Sequence, residues 1–412
     1  MLWYDYDSSM RKIITAELIA IITIVGLASM AMALLQPVLP LYLTSLGVSP
    51  TLLGLMFSAG MAGMVLGESS GGWLADRAGF RAPLLIGTFL CVPLVLSFVF
   101  VTSPIMIFLI FFIWGIVRAA IFGPGRGYIG TRIPITQKAT IMALYGTAMA
   151  AFRGIGTFSS GLIVDSKGYD WVFYAGAGVG LLAGLLVLIL VRKSPTQKPV
   201  IGNSSDVSVE QINAPLYRHR PFITQSAIAL FYFAATGLGA FVSLLAVEVA
   251  GLAATQVGFL FTIGAITNAV MLVPMGRLAD RKSKRAMMVI GLLVTGTGQA
   301  IVGLSHGFPQ LAAGLIVGSI GGAMFGPAAV SLLSENVAQQ RQSTAMGVYG
   351  GCEDLGVILG SAMGGVVWSA FGPAWTFLIM GSLSATIGAA ITFFMLKEHT
   401  SPNVRAAVAD PS

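Results

Sequence analysis

The sequence predicts an all-α membrane protein of twelve transmembrane helices in two pseudo-symmetric six-helix bundles. Three observations carry that expectation. Of 412 residues, 56% are hydrophobic and only 9% are charged, against the roughly one quarter charged that coats an ordinary soluble domain. Twelve apolar runs, each long enough to cross a bilayer, divide the chain. Segments of the first half recur in the second at a fixed spacing.

A bilayer core about 30 Å thick needs about twenty apolar residues of helix, and in hydrocarbon each backbone polar group must pair within the helix. The runs lie at 13–34, 51–73, 82–102, 105–131, 139–162, 171–191, 222–247, 254–275, 286–305, 308–332, 343–367 and 374–396. The first follows a short tail, 1–12. It is longer than the apolar stretch of a signal peptide and lacks a small-residue cleavage site, so a retained helix is expected. The organisation is then a tail at 1–12, a six-helix bundle at 13–191, a linker at 192–221, a second bundle at 222–396 and a tail at 397–412. The linker contains SPTQKP, GNSSD and YRHRP, polar and turn-forming with no apolar period.

Alternating the runs across the bilayer places the basic residues on one side, from Arg77 and Arg81 through Arg218, Arg220 and Arg277 to Arg285 and Arg341. The opposite loops hold Lys167 alone. The positive-inside rule then expects both termini and the linker in the cytoplasm of a cell (inner or plasma) membrane, with short external loops such as GVSP and SHGF. The net charge of +7 is thereby read as topology and contact with anionic lipid, not as a nucleic-acid surface.

Cys91 and Cys352 sit in apolar runs and read as small packing residues. His219, His306 and His399 are scattered over linker, outer loop and tail, and GxSxG, Walker A and HExxH patterns are absent. No catalytic residue, metal site or cofactor is expected, and neither a membrane enzyme, a non-transporting sensor nor a nucleotide-driven pump finds its constellation here.

GGWLADRAGFR at the end of the second run recurs as PMGRLADRKSKR at the end of the eighth. Asp76 pairs with Asp280 and Arg81 with Arg285, both 204 apart (280 − 76 and 285 − 81). IFGP at 121–124 returns as MFGP at 324–327, LYG at 144–146 as VYG at 348–350, and Trp171 as Trp375. Several segments kept within one residue of one register, 203 apart for IFGP and 204 for the others, mean two halves built on one plan. Six helices per half bring each half back to its starting side, so the repeats run parallel about an axis along the membrane normal.

Gly72-x-x-x-Asp76-Arg77-x-Gly79-x-Arg81 resembles the signature loop of the major facilitator superfamily, and Gly276-x-x-x-Asp280-Arg281-x-x-x-Arg285 resembles its second-half copy. Phe80 and Ser283 depart from that pattern. The resemblance runs from about residue 13 to 396 and implies a monomeric secondary transporter of small molecules working by alternating access. It also implies that Gly72, Asp76, Arg77, Arg81, Gly276, Asp280, Arg281 and Arg285 form a conformational latch that stabilises the outward-open state. Physically, the carboxylates can accept charge-assisted hydrogen bonds and the glycines admit a neighbouring backbone; end-capping with topology-setting cations is the plainer alternative.

Ionisable groups inside a span mark a cavity, because lipid exposure costs several kcal/mol. Runs 3, 6, 9 and 12 carry none, and in the family every third helix faces lipid. Runs 2, 4, 5 and 11 carry Glu68, Arg118, Arg126, Arg153, Glu353 and Asp354. Glu353, Asp354 and Glu68 are the candidates for proton coupling. The two acids of run 11 point about 100° apart, so one is expected to face the cavity and the other a neighbouring helix; a fixed ion pair with an arginine is the competing role. Arg118, Arg126, Arg153, Gln36, Trp114, Tyr145, Asn268 and Tyr349 are the candidates for the cavity lining, with packing the ordinary role of such aromatics.

LLQPVLPLYL in the first run and the glycine-rich second run are similar to drug-exporting members. The small residues of run 5 (Gly156, Thr157, Ser160, Gly161) and run 11 (Gly356, Gly360, Ser361, Gly364, Gly365) only approximate the exporters' glycine series, since its proline is absent. The expected function is proton-coupled export of hydrophobic or amphipathic small molecules. The alternative is a carrier of a small organic anion, a carboxylate or phosphate ester, which the three embedded arginines favour.

Overall fold

The computed structural model describes residues 16–132, 135–191, 220–281, 283–337 and 342–395. Within them, helix α1 runs Ala16–Leu35 and, after a turn, Leu39–Ser45; α2 is Pro50–Ala78, α3 Arg81–Phe100, α4 Pro104–Arg132, α5 Ile135–Lys167 and α6 Tyr169–Leu190. The second half follows with α7 as Arg220–Thr236 and Gly239–Glu248, α8 Ala254–Arg281, α9 Lys284–Gly303, α10 Phe308–Asn336 and α11 Gln342–Phe371. Helix α12 runs from Pro373–Trp375 through a π-helical stretch, Thr376–Leu383, to Ser384–Met395. The linker and both tails lie outside the described residues.

Eleven of the twelve helices are long and apolar enough to cross a membrane. The remaining one, α5, has the length at 33 residues but carries Arg153, Gly154, Gly156, Thr157, Ser159 and Ser160 through its middle. The first run also extends beyond its expected end at 34. Pro37 occupies the turn, and Pro40 stands in the first turn of the second segment, where a missing N–H goes unnoticed. Helix α7 breaks likewise at Gly237 and Leu238. Gly168 and Gly372, 204 apart (372 − 168), turn the chain into α6 and α12 with φ of 91° and 87°, a backbone that only glycine adopts at no steric cost.

The packing repeats as the sequence does. Within the first half α1 lies against α5 and α6, α3 against α4 and α6, and α2 against α4. Within the second, α7 lies against α11 and α12, α9 against α10 and α12, and α8 against α10. Helices α3, α6, α9 and α12 present leucine, isoleucine and phenylalanine outward, among them Phe89, Leu185, Leu293 and Phe394, the surface a lipid-facing helix needs.

Two arginines of the repeated loops have symmetric partners. Arg81, opening α3, donates to the Leu188 carbonyl in the last turn of α6 at 3.0 Å. Arg285, near the start of α9, donates to the carbonyls of Thr392 and Phe393 at the end of α12, and Leu188 and Thr392 are again 204 apart (392 − 188). A cation on the free carbonyls of a helix C-terminus satisfies them and complements the dipole. Each arginine therefore ties the two lipid-facing helices of its own half together. Arg285→Ala is expected to remove about 1–2 kcal/mol and lower the thermal midpoint in detergent by a few degrees, with partial recovery in Arg285→Lys. An unchanged midpoint would dismiss the tie.

Candidate functional site

The halves meet at the end opposite the linker, through α2 against α11 and α5 against α8. Thr51 bonds the Ser369 hydroxyl at 2.8 Å and the Gly365 carbonyl at 3.2 Å. Ser58 donates to Ile358 O at 2.8 Å. At the symmetric seam the Thr157 and Thr262 hydroxyls are 2.9 Å apart. There Asp165, at the end of α5, accepts the backbone N–H groups of Ala254 and Thr255 at 3.2 and 2.8 Å, so a carboxylate from one half caps the first turn of a helix in the other. Small residues permit the approach: a Cβ added at Gly54, Gly161, Gly258 or Gly365 would run into backbone of the opposite half.

Inside this closed end lies a cavity of about 750 Å³, reaching as far as Phe80 in the loop between α2 and α3. It is walled by α1, α2, α4 and α5 of the first half and by α7 and α11 of the second. A smaller space of about 210 Å³ adjoins it at Gln36 and Arg153 and adds α8 and α10. Helices α3, α6, α9 and α12 contribute none of these lining residues. The breaks in α1 and α7 fall on the wall, where Gln36, Thr236 and Gly237 face the space, as irregular backbone at membrane depth requires. The Gly237 carbonyl accepts the Ser361 hydroxyl at 2.8 Å.

Gln36, Glu68, Trp114, Arg118, Tyr145 and Arg153 all line the larger space. Arg153 donates to Gln36 Oε1 at 3.3 Å, and the Arg118 guanidinium sits 5.8 Å from the Trp114 ring centre, within cation–π range. Arg118 lies within electrostatic reach of Arg153 in its own half and of Asp354 of α11 in the other. Glu353 lies within electrostatic reach of Tyr232 and Tyr349. Tyr232 stacks on Phe325 at 4.1 Å, and both tyrosines near Glu353 belong to the second half.

Other expected residues lie apart. Tyr349 is buried with Phe325 and Leu333 in that interior, and Asn268 donates to Ser319 O at 3.3 Å between α8 and α10. Gly276 has ordinary room beside Pro327 of its own half, while Arg77 and Arg281 are exposed. The side chains of Asp76, Arg126 and Asp280 and the surroundings of Gly72 lie outside the described residues. Sequence reading missed the methionines on the wall, Met32, Met61, Met64 and Met149, which periodicity cannot tell from packing. It also missed Asp165, whose only signal was an acid just past an apolar run.

The Major Facilitator Superfamily model matches residues 21–253 and again 226–411, once per half. An uncharacterised MFS-type transporter of Methanocaldococcus jannaschii is 23% identical over 359 residues, covering 86% of this chain and 92% of that one. The multidrug resistance protein MdtG of Serratia proteamaculans is 26% identical over 371 residues, covering 84% and 85%. In architecture the chain is similar to the nucleoside transporter NupG, with a TM-score of 0.76 at 15% identity over 93% of this chain and 100% of that one. It is also similar to a bacterial homologue of the human lysosomal transporter Spinster in an inward-facing, unoccupied conformation, with a TM-score of 0.74 at 16% identity over 94% and 98%. The family match, the twelve paired helices and the cavity between two halves lead to one conclusion: the chain belongs to the Major Facilitator Superfamily and is a multi-pass membrane transporter of small molecules.

Proposed function

We propose that this transporter exports hydrophobic or amphipathic small molecules in exchange for protons, by alternating access between its halves. The observation that carries the proposal is the cavity itself, large enough for a drug-sized molecule and lined by four methionines and six aromatic residues, with Arg118 on its wall within electrostatic reach of Asp354 across the boundary that must open and close. A carboxylate that exchanges a cationic partner for a proton as the halves separate couples proton movement to that separation. The relatives named multidrug resistance proteins support export.

The positive-inside rule supports cytoplasmic termini in a cell membrane, which makes the present arrangement, closed at the end opposite the linker, an inward-facing one that loads from the cytoplasm. The chain acts as a monomer among lipids, and Gly72, Asp76, Arg77, Gly276, Asp280 and Arg281 serve as the latch of the opposite state. Arg81 and Arg285 support that latch indirectly, by holding each half rigid.

Flux in proteoliposomes under an imposed pH gradient tests the proposal, using cationic, neutral and anionic amphipathic dyes beside small carboxylates and phosphate esters. Movement of a dye that follows the gradient is expected. Flux of the small hydrophilic anions with no dye movement would overturn export and install the organic-anion carrier.

A further inference from the structure

We propose that the cavity takes amphipathic organic anions, an aromatic or aliphatic body lying against Trp114, Phe111 and Phe57 with its carboxylate or sulfonate facing Arg118 and Arg153. The inference rests on the export reading and narrows it to a substrate class.

Two guanidiniums, those of Arg118 and Arg153, stand on the wall. Arg118 Nε and Trp114 Nε1 are both buried without a hydrogen-bond partner among the described residues, and both side chains line the cavity. A buried donor left unmade costs about 1–3 kcal/mol, more when charged; both atoms are covered by protein, so an acceptor in the cavity satisfies them once these lining side chains turn toward it. Arg153 has Gln36 at 3.3 Å, a long contact beside the 2.7–2.9 Å typical of a guanidinium on a carboxylate. The two guanidiniums are close enough to repel each other. Asp354 offsets part of that charge, while Glu68 lies nearly three turns from the end of α2, toward the cavity mouth.

A lipophilic cation would add a third positive charge beside two others and leave the orphaned donors unsatisfied. A carboxylate or sulfonate answers both, since it carries the counter-charge and several acceptor lone pairs. The aromatic wall is continuous: the Phe57 and Phe111 rings are 5.0 Å apart and Phe111 and Trp114 5.7 Å apart. The methionines can repack around bodies of different shape. The smaller, hydrophilic anions of the rival carrier would leave this wall uncovered.

The test is calorimetric titration of the full chain in lipid nanodiscs with three molecules sharing one ring system: 2-naphthoate, 2-naphthylmethanol and 2-naphthyltrimethylammonium. Naphthoate is expected to bind at least about tenfold more tightly than the alcohol and the ammonium compound. Arg153→Gln and Arg118→Gln should erase that preference while binding of the alcohol persists, which also shows that the variants remain folded. Equal affinity for all three, or preference for the ammonium compound, in the unaltered protein would overturn the anion assignment without recourse to any variant. The two readings fail separately: gradient-driven flux of cationic or neutral dyes alone defeats the anion assignment and leaves export standing, whereas naphthoate binding without gradient-driven flux of any amphipath defeats export.

Discussion

Replacing Asp354 by asparagine is expected to reduce pH-gradient-driven flux to the level of protein-free liposomes while exchange of substrate for substrate continues. The amide keeps the size of the carboxyl and one acceptor oxygen and removes its titratable proton and charge. Asp354 lies within electrostatic reach of Arg118 across the boundary between halves, so its environment changes whenever the halves move, and a proton taken up or released there is tied to that movement. Glu353, one residue away on α11, faces Tyr232 and Tyr349 inside a single half, and those neighbours move with it. Glu353→Gln is therefore expected to keep gradient-driven flux at lowered protein stability. Paired measurements of driven flux and exchange check both. Driven flux undiminished in Asp354→Asn would sink the coupling assignment, and loss confined to Glu353→Gln would transfer it to the acid within the second half.

Gly258→Leu is expected to hold the end opposite the linker open and stop transport. The first side-chain carbon at this position already meets the Thr157 carbonyl of α5, and three more must find room in the same seam. Overpacking costs roughly 1–3 kcal/mol, and applied to one of two states it displaces their balance by roughly 5–150-fold. Gly365→Leu, against Pro50 of α2, should act alike at the symmetric seam. Asp165→Asn, which weakens the cap on α8, should act in the same direction by about 0.5–2 kcal/mol. The readout is labelling of Ser58→Cys, in a background without Cys91 and Cys352, by an impermeant maleimide. Ser58 is buried at the closed end, so labelling should be slow in the parent and fast in Gly258→Leu. Slow labelling with normal flux would mean that this contact does not govern closure.

The amino-acid order by itself determined the class and the plan. Hydrocarbon leaves backbone polar groups no partner but their own helix, so apolar length alone named the spans. A register kept from Asp76 and Asp280 to Trp171 and Trp375 named the two halves. Embedded charge, which lipid does not tolerate, marked helices α2, α4, α5 and α11 as inner ones. These signals are local or periodic, and a linear reading can see them.

Partners across the fold were beyond such a reading. Glu353 and Asp354 are neighbours with the same chemistry, and only the packing of α11 against α2 and α7 set one within reach of Tyr232 and Tyr349 and the other within electrostatic reach of Arg118. Tyr145 and Tyr349 occupy equivalent places in the repeat, yet one lines the cavity and the other fills a core, because the first half supplies most of the cavity wall. The arginines of the two signature loops read alike in sequence, and packing set Arg81 and Arg285 on the carbonyls of α6 and α12. Asp165 gained a meaning only when folding brought α8 to it from 89 positions away (254 − 165). Such pairings depend on which helix faces rest together, a property of the assembled bundle that no single helix contains.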